Sequence, residues 1–182
     1  MIVRKLKIQN FRNFRTLDLE FSPKMTVIVG DNAVGKTSVI EAINCISSIK
    51  SFRTNEYQDL INDSSKYFYL EADLEEDLTS NKVTYYCDSN VKRLKLNNFV
   101  YSKLSDYVGF FNVICFSALD FLKLKGAGSE RRKMFDLIFC QISKDYLIMS
   151  NYYKKLLKDR NALLKAFILE NRDKALTLIE AV

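Results

Sequence analysis

Gly30-Asp31-Asn32-Ala33-Val34-Gly35-Lys36-Thr37 decides the fold. Its spacing, Gly-x-x-x-x-Gly-Lys-Thr, is that of a Walker A phosphate loop, and its flanks supply the context such a loop needs. Val27-Ile28-Val29 in front is a short apolar run, read as the buried strand that delivers the loop. Ser38-Val39-Ile40-Glu41-Ala42-Ile43 behind is read as the helix that leaves it. The order is dictated by physics. Backbone N–H groups turned inward by the loop hold a phosphate, and the helix N-terminus adds its partial positive charge. On this pattern Gly30, Asp31, Asn32, Ala33, Val34 and Gly35 wrap the phosphates, and Lys36 pairs with the β/γ-phosphates. Thr37 holds Mg²⁺, and Ser38 completes the set in the first helical turn. The expected ligands are ATP and Mg²⁺.

The rest of the composition fits a domain that works on such a ligand. The chain has 182 residues, 48% of them hydrophobic, enough for one core of two or three layers with a helical lobe. No apolar run approaches the roughly 20 residues of a membrane span. Met1-Ile2-Val3-Arg4-Lys5 lacks the apolar stretch of a signal peptide, because Lys5 and Lys7 interrupt it. A cytoplasmic location without a membrane partner is expected. Cys45, Cys87, Cys115 and Cys140 are widely spaced in apolar neighbourhoods, and the chain has no His. They are expected to be reduced, unpaired and mostly buried rather than zinc ligands. The net charge of +6, from 28 Lys+Arg against 22 Asp+Glu, permits a polyanionic partner without demanding one.

Before the phosphate loop, alternation predicts two strands, one through Leu6 and Ile8 and one through Leu17, Leu19 and Phe21, joined at Asn10–Arg15. Beyond it, three strands are predicted at 67–74, 83–87 and 91–96, with turns at Glu75-Glu76-Asp77 and Asp88-Ser89-Asn90. A short helix is predicted over 102–108 and a further apolar strand at Val113-Ile114-Cys115-Phe116. After residue 117 the pattern turns helical. Ser129 is placed to cap a helix over 130–140, and a second helix starts near Ser143. Met149, Tyr153, Leu156, Arg160, Leu163 and Phe167 recur on one face of that second helix, as core packing within a helical lobe would require. Ala175–Val182 stays helix-like with Leu176, Ile179 and Val182 on one side and no stop signal, as either a natural end or a cut inside a larger protein would leave it.

Hydrolysis needs a Walker B pattern, four apolar residues followed by Asp-Glu, for the metal shell and the attacking water. None is present. Phe68-Tyr69-Leu70-Glu71 lacks the Asp, and Val113-Ile114-Cys115-Phe116 is followed by Ser117, with Asp120 three positions late.

Taken together, these residues make the chain resemble the N-terminal half of the RecF family, bacterial replication and recombination-repair proteins among the ABC-type ATPases related to SMC proteins. The resemblance runs from Leu6 to about Lys165. It rests on Leu6-Lys7-Ile8-Gln9-Asn10-Phe11-Arg12-Asn13-Phe14, the phosphate loop with Glu41-Ala42-Ile43, Ser51-Phe52-Arg53-Thr54, Lys125-Gly126 with Ser129-Glu130-Arg131-Arg132, and 157–165. Two departures stand out. Ala33 replaces the usual middle Gly, at a cost on the order of 1 kcal/mol if that position needs φ > 0. Ala118-Leu119-Asp120 replaces Pro-Glu-Asp, leaving Asp120 for a metal-linked or water-linked role. Complete family members are about twice this length, with their Walker B and signature motifs in the other half.

The resemblance implies an α/β fold, the N-terminal lobe of an ABC/SMC-like P-loop ATPase with a mixed sheet around the phosphate loop, followed by a mostly helical lobe. The expected division is 1–116 for the ATP-binding lobe and 117–182 for a helical lobe incomplete at its C-terminus. It further implies that Arg12 touches the nucleotide phosphates and that the whole protein is an ABC-type ATPase that dimerises on ATP. Such a protein would engage gapped DNA at single-strand/double-strand junctions. It would work with other recombination mediators in replication, recombination and the SOS response, and help load recombinase. The plain alternative for Arg12 is a solvated loop arginine. Arg53 is placed to meet nucleotide or DNA. Arg131-Arg132 opens a helix, where cations oppose the dipole, so either a pairing with Asp136 or a DNA role is expected. Two other functions stay open: an ATPase subunit coupled to a nuclease, and a nucleotide-binding module without catalysis.

Overall fold

The computed structural model describes the backbone of residues 1–77 and 79–180, and the side chains of all of these except 118, 119, 122, 123 and 169–180. Alternation at the start of the chain builds strands β1 (Ile2–Phe11) and β2 (Phe14–Glu20). The loop region leads into helix α1 (Lys36–Ser48). Strands β3 (Tyr67–Glu76), β4 (Thr79–Asp88), β5 (Lys92–Leu96) and β6 (Phe99–Val100) follow, and then helices α2 (Ala118–Lys125), α3 (Gly128–Ile142) and α4 (Lys144–Glu180). The strands form one six-stranded sheet in the order β2-β1-β3-β4-β5-β6, with every neighbouring pair antiparallel.

The register aligns the apolar positions into rows across the sheet. Leu6 lies opposite Ala72, which lies opposite Val83, and that opposite Leu96. One step along, Ile8, Leu70, Tyr85 and Leu94 form the next row. In a strand of period two, these residues share one face. Helix α1 lies on that face, with Val39, Ala42, Cys45 and Ile46 buried against it. Each large apolar side chain buried this way stabilises the fold by roughly 1.5–3 kcal/mol, which seats the start of α1, and so the phosphate loop, on a rigid support. The turns are built as the residue types predict. Asp88 Oδ1 accepts the N–H groups of Asn90 and Val91, both at 2.7 Å, closing the β4–β5 hairpin.

Several expectations need correction. Val27-Ile28-Val29 is no strand, and Val27 and Val29 are 69% and 83% exposed. The same holds for Val113–Phe116, with Ile114 at 77%. An apolar run carries strand propensity, but a strand also needs a neighbour with free N–H and C=O groups, and the sheet places none beside these runs. The predicted helix at 102–108 is a single 3₁₀ turn, Leu104–Asp106. Helix α3 starts ahead of Ser129, with Ala127 in the cap position, whereas Ser143 does cap α4 through the Tyr146 N–H.

The expected core face of α4 is open. Met149, Tyr153, Leu163 and Phe167 are each more than 60% exposed. Helix α4, at 37 residues, is about 55 Å long, while its neighbour α3, at 15 residues, reaches only about 22 Å, so most of α4 runs past it. Leu176, Ile179 and Val182 lie outside the described side chains. All four cysteines are free, but only Cys45 and Cys87 are buried, Cys115 and Cys140 being half-buried. Burial pushes the thiols of Cys45, Cys87 and Cys115 above their ordinary range.

Candidate functional site

The phosphate loop ends in Gly35, which takes φ +106° as the N-cap of α1. That φ is one L side chains rarely adopt, and a Cβ there would also push on the Phe14 ring and the Asn13 amide, so glycine is the residue suited to this position. The Gly35 carbonyl opens the helix, accepting from Ser38 and Val39 at 2.9 and 3.1 Å. No acidic side chain occupies the first turn of α1 and no side chain caps it. The helix N-terminus therefore keeps its positive potential for an incoming anion. Lys36 folds back across the loop, its Nζ donating to the carbonyls of Gly30 and Asp31, both at 2.6 Å. An ammonium held there lies across the loop backbone. Gly30, Asp31, Asn32, Ala33, Val34 and Thr37 are exposed, and Gly35 and Lys36 are partly so. Ser38 is buried, and its N–H is committed to Gly35. Ala33 takes φ +68°, so the position that usually carries Gly does adopt the left-handed backbone here.

Arg12, expected at the nucleotide phosphates, makes its contacts in this structure to protein groups beside the loop. Its Nε and Nη2 donate to the two carboxylate oxygens of Glu41 at 2.9 and 2.6 Å, and its Nη1 donates to the Asp59 carbonyl at 2.7 Å. Glu41, on α1, is completely buried. It also accepts from Ser51 Oγ at 2.5 Å and from Arg53 Nη1 at 3.3 Å. Four donors on two oxygens satisfy this carboxylate fully, the condition under which a buried charge is tolerated. Arg53 is therefore drawn to the same acid, while 46% of its side chain stays exposed. Ser51 does double duty, its Oγ also accepting the N–H groups of Arg53 and Thr54.

The hydrogen bond from the β1–β2 turn to the loop comes from a residue that pattern reading passed over. Asn13 Nδ2 donates to the Val34 carbonyl at 3.1 Å. The available signal was a polar Asn between Arg12 and Phe14 in a turn already singled out. Asp120 accepts the N–H and hydroxyl of Ser117 at 2.9 and 2.7 Å, as an acid three residues inside a helix start does in a capping box. The pairing expected four residues on, between Arg132 and Asp136, is not formed, and Arg131 turns to the backbone instead. Its Nη1 donates to the Gly126 carbonyl at 2.8 Å, a cation at the C-terminal end of α2 where the helix dipole favours it. Asp136 instead accepts from the Tyr146 hydroxyl at 2.5 Å.

The sequence model of the RecF/RecN/SMC N-terminal domain matches residues 2–105. DNA replication and repair protein RecF of Exiguobacterium sp. is 36% identical over 182 residues, 100% of this chain and 48% of that protein. The protein of the same name from Alkaliphilus oremlandii is 39% identical over 166 residues, 91% of this chain and 46% of that one. Among solved structures, the recombination mediator protein RecF-ATPrS in the RecFOR pathway superposes with a TM-score of 0.85 at 31% identity, over 90% of this chain and 45% of that one. The corresponding RecF-ATP structure gives 0.83 at 32% identity, over 90% and 44%. The chain thus spans about half the length of the curated relatives it matches.

Proposed function

We propose that this chain, which belongs to the RecF/RecN/SMC N-terminal domain family, binds ATP with Mg²⁺ as the nucleotide-holding part of a RecF-type replication and repair ATPase. Its fold is that of the ABC/SMC-like P-loop ATPase N-terminal lobe. The observation that carries the proposal is the assembled phosphate loop: Gly35 capping α1, an uncapped helix N-terminus, and Lys36 Nζ drawn over the Gly30 and Asp31 carbonyls. The solved RecF structures named for ATP and ATPrS share the fold at 31–32% identity. Residues 30–37 hold the phosphates, Lys36 neutralises the β/γ charge, and the exposed Thr37 hydroxyl meets Mg²⁺. Arg12 serves the site through the turn it anchors, and Ser38 through the start of the helix.

The division into a nucleotide lobe at 1–116 and a helical lobe from 117 goes with this function. In a protein of the relatives' length, the open runs at 27–29 and 113–116 are where further strands pair. Turnover then requires a catalytic carboxylate pair and a second copy closing over the γ-phosphate. DNA contact at gaps and single-strand/double-strand junctions, made mainly to phosphates, cooperation with other recombination mediators, help in loading recombinase and a cytoplasmic location complete the proposal. No described helix is long and apolar enough to cross a membrane.

Calorimetry of ATP–Mg²⁺ binding to the purified chain tests the core of it. The wild type is expected to bind, Lys36→Ala to lose binding, and Thr37→Ala to lose its Mg²⁺ dependence. Equal affinity in wild type and Lys36→Ala would overturn the site. Phosphate release is expected to be negligible with or without gapped DNA, because the chain carries no Walker B pattern.

A further inference from the structure

Glu41 is an unusual residue to find under a phosphate loop. It is an acid with no exposure, on the helix that leaves the phosphate loop, and its carboxylate takes its hydrogen bonds from outside the loop. Its partners point elsewhere: to Arg12 in the β1–β2 turn and to Ser51 and Arg53 just beyond α1. The β1–β2 turn is held in a conformation that ordinary residues avoid. Asn10 and Arg12 have φ of +51° and +55°, and such outliers persist only where surrounding bonds over-determine them. Those bonds are present. Arg12 N–H donates to the Leu60 carbonyl at 2.8 Å, Asn62 N–H to the Asn10 carbonyl at 2.8 Å, and Asn62 Nδ2 to the Arg12 carbonyl at 2.6 Å. The forked pair to Glu41 adds the one strong charge contact.

The turn's free end meets the loop. Asn13 Nδ2 holds the Val34 carbonyl. In a planar trans peptide the C=O and the following N–H point in opposite directions. Fixing the Val34 carbonyl toward Asn13 therefore aims the Gly35 N–H to the other side of the loop, where a phosphate oxygen accepts.

We propose that Glu41 is a positioning residue for the nucleotide: through Arg12 it sets the β1–β2 turn, and through Asn13 that turn orients the Val34–Gly35 peptide of the phosphate loop. The proposal rests on ATP being the ligand of this loop. It assigns Asn13, rather than the Arg12 guanidinium, as the contact between turn and loop.

A double-mutant cycle tests it, with ATP–Mg²⁺ affinity read by calorimetry and amide hydrogen exchange at residues 33–36 read without nucleotide. Loss of one oriented hydrogen bond predicts that Asn13→Ala and Glu41→Gln each weaken ATP by roughly 3- to 10-fold. The double variant is expected to be no weaker than the worse single, because both act on one peptide. Exchange at 33–36 should quicken in each single variant. Should Glu41→Gln fail to fold, Arg12→Lys takes its place in the cycle, since lysine keeps the charge but loses the two-pronged geometry. A folded Glu41→Gln or Arg12→Lys with wild-type affinity and exchange, or losses that simply multiply, overturns the clamp. If instead the wild type and Lys36→Ala bind ATP equally, the ligand assignment itself falls, and the clamp with it.

Discussion

Ala33→Gly should stabilise the protein while leaving its affinity for ATP almost unchanged. Ala33 stands in the left-handed region at φ +68°, where a Cβ crowds its own backbone and costs about 1–2 kcal/mol. Glycine removes that cost but loses more conformational freedom on folding, about 0.4–1 kcal/mol. The balance is a gain of roughly 0.5–1 kcal/mol, or about 1–4 °C in Tm for a chain of this size. The strain belongs to the loop backbone, and it is taken to be common to the free and the nucleotide-bound protein. A cost present on both sides cancels from the binding equilibrium, because a ligand responds only to differences between states. Differential scanning calorimetry and ATP titration on the same two proteins separate the effects. A rise in Tm with affinity within about twofold is expected, a change of under ~0.5 kcal/mol. An affinity gain of tenfold with Tm unchanged would refute the reasoning and show that Ala33 reaches its conformation only when nucleotide binds.

Other parts of the molecule give further tests. Tyr107 is fully buried and its hydroxyl has no hydrogen-bond partner among the described residues; Tyr107→Phe is expected to raise stability by about 1 kcal/mol in urea denaturation, the low end of the cost of an unpaired buried group. Asp88 has its carboxyl held below the ordinary range by the N–H groups of Asn90 and Val91, with help from the Tyr86 hydroxyl. A depressed acid contributes stability above its unfolded pKa and loses it as pH falls through the lower folded value, so acid titration of the melting temperature should show a loss starting near pH 4 that flattens in Asp88→Asn. Thiol labelling of the native protein should modify Cys115 and Cys140 well before Cys45 and Cys87, which are fully buried. Ile114→Lys should alter stability by less than about 0.5 kcal/mol, because Ile114 is 77% exposed; a loss of several kcal/mol would show that the 113–116 run is paired after all.

What was legible in the sequence is what local chemistry decides. The alternation of Phe68, Leu70, Ala72 and Leu74 with polar residues is β3, and it fixes which face α1 covers, since a one-residue slip would turn the whole set outward. Asp88 and Asn90 close a hairpin because an Asx side chain bonds the backbone two and three residues on. The phosphate loop was readable because wrapping an anion in backbone N–H groups constrains residue type at fixed spacing. What stayed hidden depends on partners distant in sequence. Val27–Val29 and Val113–Phe116 read as strands and are not, because propensity is local and pairing is not. The stripe on α4 reads as core and stands open, because periodicity reports an apolar face but not whether a neighbour is long enough to cover it.

Glu41 shows the same limit at the site itself. In the sequence it is one acid within an apolar helix, where the i, i+3, i+4 pattern alone would put it on the wrong face. Its burial makes sense only once Arg12, 29 positions away, and Arg53, 12 positions away, arrive beside it. A buried carboxylate is costly, and removing one member of such a pair typically costs 3–5 kcal/mol by leaving the other charge unmatched. An apolar residue of similar volume would spare that cost wherever packing alone were required. Keeping the acid under the phosphate loop therefore points to a requirement for geometry. The forked Arg12–Glu41 contact fixes the angle of the β1–β2 turn more narrowly than apolar packing would, and that turn is what carries Asn13 to the Val34 carbonyl. Arg12 thus gains its place in the site through the acid it binds, and its side chain need not reach the nucleotide to matter to it.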